Sequence, residues 1–197
     1  MAEHDHEHEH DEHEHDEMET DEELERAARR LLALSRIRQY GDRVLRMKAR
    51  EVERYDDELE RLVERMTTLM HEAQGVGLAA TQVGVLRRLF VFVDEGEDRV
   101  LVNPVINKRS KVTETEEEGC LSLQGVLVPV ERAAEVTIEG TDVHGEPLRF
   151  EFELPTARVV QHELDHLDGV LIIDRTDEES RRTALAKLRP QPVLGAR

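Results

Sequence analysis

Gln161-His162-Glu163-Leu164-Asp165-His166 is the stretch around which the rest of the chain is read. His162 and His166 stand four apart, and on a helix residues at that spacing share a face, one turn above the other. Two imidazoles so placed bind one metal ion. Glu163 sits about 100° further round the helix, within reach of a water activated by that ion. This is the His-Glu-x-x-His arrangement of metal hydrolases, and six letters alone do not establish it.

The flanks support a helix. Thr156 reads as its cap, and Gly169 as its stop. Ala157, Val160, Leu164 and Leu167 fall on one side, with His162 and His166 roughly opposite and Val159 beside them. An ordinary surface helix turns its second side to water. Here both sides are predicted to be covered, one by core and one by a site. Val170 to Ile173 reads as a short apolar strand. Thr176-x-x-Glu179 reads as a capping box opening a last helix to about Leu188, stopped by Pro190 and Pro192.

The 197 residues suit one domain with an appendage. With 38% apolar residues, 3% aromatics and no Trp, the core must be aliphatic. The formal net charge is −18, of which residues 1–19 carry −10. That balance argues against binding duplex nucleic acid, which needs a basic footprint. No apolar run is long enough to span a membrane, and the acidic start does not read as a signal peptide. Cys120 is the only cysteine, so no internal disulfide forms. Such a cysteine is a buried hydrophobe, a metal ligand or a reactive thiol.

Residues 1–19 alternate His with Asp and Glu and read as a disordered acidic tail. Six histidines lie there, which suits either a weak metal-sequestering tail or a merely solubilising one. Residues 20–35 predict an N-terminal helical extension, loosely attached, broken by Gly41-Asp42. Residues 57–73 form the clearest amphipathic helix, capped by Asp56 or Asp57, with Leu59, Leu62, Val63, Met66, Leu69, Met70 and Ala73 facing a core. His71 on that helix reads as a surface or structural residue. Gly75-Val76-Gly77-Leu78-Ala79-Ala80-Thr81-Gln82 follows. Its glycines superficially fit a dinucleotide fingerprint, but a helix precedes them rather than a strand. Leu89–Val93 and Val100–Ile106 read as strands, the second at an edge or bulged because of Pro104. Val126–Val130 is another. Residues 135–139 and 148–154 form a hairpin about His144-Gly145-Glu146-Pro147, in which His144 is a polar turn residue.

Two histidines are one ligand short of a catalytic site, which usually has three protein ligands and an open position. No histidine lies downstream of His166, although Asp174 and several glutamates do. Upstream, Cys120 is the soft candidate, set after a glycine that clears space. A Cys120, His162, His166 set leaves a position for water, and Glu163 can carry its proton to a leaving group. Candidate donors to a developing oxyanion are the Gln82 side-chain amide and the Leu121 N–H. Ligand softness alone points to zinc.

At this point the chain resembles the peptide deformylase family of bacterial type. The resemblance is carried by Gly75-x-Gly77-x-Ala79-Ala80-x-Gln82, by Glu118-Gly119-Cys120-Leu121-Ser122, and by Gln161-His162-Glu163-x-Asp165-His166, in that family's order and over roughly residues 36–189. It implies an α+β fold of small, mostly antiparallel sheets wrapped around a central metal-binding helix, with flanking N- and C-terminal helices. A catalytic domain over 36–190 and a C-terminal tail over 191–197 follow. It implies a cytoplasmic enzyme, close to the ribosome, that removes the N-formyl group from the N-terminal methionine of nascent polypeptides and releases formate. It implies Cys120, His162 and His166 as ligands of one divalent ion, Fe2+ by family habit with Zn2+, Ni2+ or Co2+ as substitutes. Glu163 is then the general acid/base, and Gln82 and Leu121 the oxyanion donors. Gly77 binds the substrate backbone, and Val76 and Val159 line the methionine pocket. The family often has Pro where Gln124 stands, which bears on the loop flanking the cleft. Asp165 either orients a ligand histidine or pairs with an arginine, and Arg158 and Arg175 are candidates for ion pairs nearby.

Two other classes fit parts of the sequence. A metallopeptidase would use His-Glu-x-x-His alone but lacks a third histidine downstream. A metal-storage protein would draw on the histidine-rich tail.

Overall fold

The computed structural model describes residues 8–188, with side chains described from residue 21 onward. Its elements in order are α1 (His8–Ser35), α2 (Asp57–Glu72), β1 (Gly77–Ala79), β2 (Leu89–Asp94), β3 (Glu97–Arg109), β4 (Thr113–Glu118), β5 (Val128–Ala133), β6 (Glu135–Thr141), β7 (Pro147–Glu153), α3 (Thr156–Leu167) and α4 (Glu178–Leu188). Five strands form one antiparallel sheet in the order β1-β2-β3-β6-β7, and β4 pairs with β5 in a separate ribbon.

Period-2 burial explains how the larger sheet joins two cores. On β2, Leu89 and Val91 face a cluster with Leu59, Leu62, Met66, Leu69 and Met70 of α2. Phe90 and Phe92 face the opposite way, into a cluster with Leu101, Ile138 and Phe152. The expected apolar side of α3 completes that second cluster through Ala157, Val160, Leu164 and Leu167. Each fully buried Leu or Val there contributes about 1.5–3 kcal/mol. A third cluster ties Leu123, Val126, Val128 and Val130 to Ile172, Ile173 and Ala184. It anchors the ribbon on the other side of α3.

Several local expectations are corrected. The disordered tail over 1–19 is overtaken from residue 8, because α1 begins at His8 and runs to Ser35. No Gly or Pro interrupts that span, and extending a helix is far easier than nucleating one. Residues 1–7 and 189–197, including the expected C-terminal tail, lie outside the described residues. Nor is the end of α1 loosely attached. Ala33, Leu34 and Ile37 are buried in the first core, and the Arg30 Nε donates to Ala73 O at 3.3 Å.

Pro104 does not mark an edge, because β3 is the central strand of the sheet. It is accommodated by a register shift between Val102 and Val105. Asn103 takes a φ of 51° there, and its side chain bonds both backbone groups of Val52. β4 escaped the sequence reading because five of its six residues are exposed and polar. Its backbone is satisfied by β5, with only Glu118 turned inward.

Thr156 is the first residue of α3 rather than its cap; Pro155 occupies the cap position, and the Thr156 hydroxyl reaches Asp94. The strand expected at 170–173 is a 3-10 turn over Ile172–Asp174, because the Asp174 carboxylate accepts from Leu171 N and pairs with Arg46. Asp177, not Thr176, caps α4, accepting from Ser180 N at 2.9 Å.

Gly169 ends α3 as expected, at a φ of +74°, and a Cβ there would lie 2.7 Å from the carbonyl oxygen of Arg46. Gly169→Ala is therefore expected to cost about 2 kcal/mol from the left-handed backbone and the clash with main chain. Thermal unfolding should show a midpoint lowered by about 4–8 °C.

Candidate metal centre

α3 lies between the larger sheet and the ribbon, and its second side carries the site. The His162 and His166 rings are 5.0 Å apart between centroids. Cys120 follows the end of β4 and comes within 3.2 Å of His166 Nε2. One donor atom from each of Cys120, His162 and His166 lies within 4.8 Å of the others. His71 and His144 remain apart from this cluster, paired with Asp98 and Glu60 on the surface.

The donors are held from behind. His162 Nδ1 donates to Glu118 Oε2 at 3.0 Å, which leaves its other nitrogen to the cluster. Glu118 in turn accepts two hydrogen bonds from Arg132, at 2.9 Å each, and one from Arg158 at 2.9 Å. Burial pushes the Glu118 carboxyl up, but Arg132 and His162 outweigh it and hold the group well below the usual carboxylate range. Burial would depress His162, yet its bonds to Cys120 and Glu118 raise it well above an ordinary histidine. Burial and the neighbouring His162 push His166 the opposite way. Of the two readings of Asp165, the structure bears out the ion pair. It binds Arg132 and Arg175 at 2.6 Å each and touches neither histidine. Glu118 does the orienting instead. Its place next to Gly119-Cys120 was the one sequence signal that pointed to it.

Glu163 is 4% exposed, and burial raises its carboxyl to about 7. It rests against β1 so closely that a Cβ on Gly77 would lie 2.4 Å from its Oε1. Gly77 thus makes room for the carboxylate, a role its sequence setting did not disclose. The Gln82 Oε1 accepts from Ala79 N at 2.9 Å. Its Nε2 donates to Ser122 Oγ at 3.1 Å and points to Cys120 Sγ at 3.8 Å. Among the described residues the Leu121 N–H donates to no other group.

The cluster opens on a cleft of about 630 Å³. Gly77, Gln82, Leu121, Val159 and Glu163 line it, as does Val76, which is 60% exposed. Gln124 lines it too, so its side chain belongs to the rim where the family often has Pro. Thiolate and imidazole are donors for a divalent transition ion. Glu163 Oε2 is buried without a partner among the described residues, in a side chain that lines the same cleft as Cys120 and His162. The donor set therefore fits one metal ion, and the combination of this α+β fold with a Cys-His-His triangle beside a buried carboxyl defines a metal-dependent hydrolase.

Comparison with known proteins agrees. The model of the polypeptide deformylase family matches residues 34–182. A peptide deformylase of Pseudothermotoga lettingae is 46% identical over 154 residues, 78% of this chain and 89% of that protein. The crystal structure of a peptide deformylase from Legionella pneumophila superposes with a TM-score of 0.74 at 39% identity, covering 77% of this chain and 91% of the other. That from Thermotoga maritima gives 0.71 at 44% identity, covering 72% and 97%. The chain belongs to the polypeptide deformylase family. It is an enzyme, a metal-dependent hydrolase that removes the N-formyl group from nascent polypeptides. Among the described residues, no helix is long and apolar enough to cross a membrane.

Proposed function

We propose that Cys120, His162 and His166 hold one ion in this enzyme, Fe2+ in the cell with Zn2+, Ni2+ or Co2+ as substitutes, and that Glu163 is its general acid/base. The observation that carries this is the position of Glu163, buried beside the donor triangle with a carboxyl raised to about 7. A divalent ion held by those donors supplies Lewis acidity, making a water acidic enough to lose a proton near neutrality.

The protein's own groups do the rest. Burial favours the protonated carboxyl, which lets Glu163 hold a proton at this site, so Glu163 takes it from the attacking water and passes it to the departing amine. The formyl oxygen gains charge as the carbonyl is attacked. The Leu121 N–H is open to donate to it, and the Gln82 amide, which has one bond to Ser122 Oγ and otherwise points toward Cys120, turns its second N–H to it. Glu118 holds His162 in one tautomer and orientation. β1 is the sheet's edge strand, so an extended peptide adds to it at Gly77 by main-chain hydrogen bonds. Val76 and Val159 then flank the methionine side chain. The enzyme works in the cytoplasm, where nascent chains leave the ribosome.

The test is turnover of formyl-Met-Ala-Ser, followed by formate release, set against cleavage of the unformylated peptide. Internal cleavage with the formyl group spared would instead mark a peptidase. Anaerobic metal analysis belongs with it. Cys120→Ser is expected to lower bound metal or change its identity and to lose most of the activity with it. A metal-replete, fully active Cys120→Ser enzyme would contradict the ligand set.

A further inference from the structure

The cleft is not walled by the family domain alone. Arg30 and Leu34, both on α1, line it. Arg30 lies upstream of residue 34, where the family match begins. Leu34 is buried in the first core and fixes the helix in place. Four residues earlier, one turn along the same face, Arg30 is exposed at the cleft mouth, at a position the anchored helix fixes.

Its guanidinium is anchored at one point. Nε donates to Ala73 O, the C-cap carbonyl of α2, at 3.3 Å. Among the described residues no carboxylate pairs with it, which leaves its remaining N–H donors for a ligand. The anchor is close to the chemistry. Gly75, two residues past Ala73, packs so tightly that a Cβ there would lie 2.8 Å from Leu121 Cδ1, and Leu121 adjoins Cys120. A peptide extended from the reacting formyl group advances about 3.3–3.6 Å per residue. Its first residues after methionine thus fall within reach of a long arginine side chain. The other charges of the cleft do not compete at this wall. Glu118 and Arg158 are bound to each other, Glu163 is buried, and Glu117 on β4 forms no ion pair with Arg30.

We propose that Arg30 is a specificity-determining residue: α1 places it on the cleft wall to favour substrates with an acidic side chain one or two positions after formyl-methionine. This rests on the deformylase reading of the site, and the experiment separates the two. The full-length, metal-loaded enzyme is assayed on C-terminally amidated formyl-Met-Glu-Ser and formyl-Met-Lys-Ser, and on formyl-Met-Ala-Glu and formyl-Met-Ala-Lys. Amidation removes the terminal carboxylate, which would pair with Arg30 itself. Comparing kcat/KM within one enzyme cancels any general change in activity.

The wild type should favour Glu over Lys by about 1.4- to 5-fold at one of the two positions, the range of an exposed ion pair, and less at high salt. Arg30→Gln should bring the ratio close to one, and Arg30→Glu should reverse it. A ratio unchanged in Arg30→Glu, or no wild-type preference at either position, overturns the proposal. Absence of deformylation on all four peptides by the wild type would instead remove the reading on which it stands.

Discussion

Glu163→Gln is expected to lower deformylation of formyl-Met-Ala-Ser by about 10²–10⁴-fold while leaving close to one metal ion per chain. That is the usual contribution of a positioned acid/base. Glutamine keeps the shape that Gly77 accommodates but cannot carry the proton, so the loss should fall in kcat with little change in KM. The same variant has a signature in stability. Burial raises the Glu163 carboxyl from 4.5 to about 7. The folded metal-free protein therefore favours the protonated form. The stability this group lends is fully present below about 4.5 and is lost as pH rises through about 7. Metal-free Glu163→Gln should thus melt higher than the metal-free wild type at pH 8, with the gap closing near pH 5. Equal melting temperatures at both pH values would mean that Glu163 is not buried as a carboxyl, and retained turnover would remove it from the chemistry.

Arg132→Leu should be the most damaging single change to the fold. Arg132 binds Glu118 through two nitrogens and Asp165 through a third, and both Arg132 and Glu118 are buried. Removing one partner of a buried pair strands the other, at about 3–5 kcal/mol. Denaturant or thermal unfolding should show a midpoint about 6–20 °C lower. Glu118→Gln added to Arg132→Leu should recover part of that loss, since the stranded charge is gone. A single-variant cost below about 1 kcal/mol would show that other groups carry Glu118. The effect should extend to the metal, because the carboxylate that Arg132 holds is the one that receives the His162 N–H.

What was legible in the sequence follows physical range. α2, the apolar side of α3 and the β6–β7 hairpin announce themselves because their core residues recur at the helix or strand period. The three donors were readable for a different reason: His162 and His166 are fixed by helical spacing, and Cys120 is the chain's sole thiol. β4 carried no period, since a ribbon with only Glu118 inward gives its residues nothing apolar to alternate. β1 is three residues long and is defined by its partner β2 rather than by its own letters. The caps at Pro155 and Asp177 were missed by one residue: Pro155 makes no side-chain cap bond that its letter could announce, and Asp177 takes the Ser180 N–H in place of its neighbour Thr176. The support behind the site was hidden most deeply. Glu118, Arg132 and Asp165 come from three separate elements: the first two meet only when β4 pairs with β5, and Asp165 joins them only once that ribbon is laid against α3.

The position of α3 between sheet and ribbon has a mechanical consequence. A helix gripped on one flank only can roll or slide to adapt to what it holds; one gripped on both cannot. Turning α3 by a single residue, about 100°, would carry both imidazoles away from Cys120 and pull Val160 and Leu164 out of the Phe90–Phe92 layer. The two histidines therefore act as a gauge of fixed width. Any adjustment to peptides of different sequence must come from the rim outside α3, the 74–76 loop and the 124–127 turn.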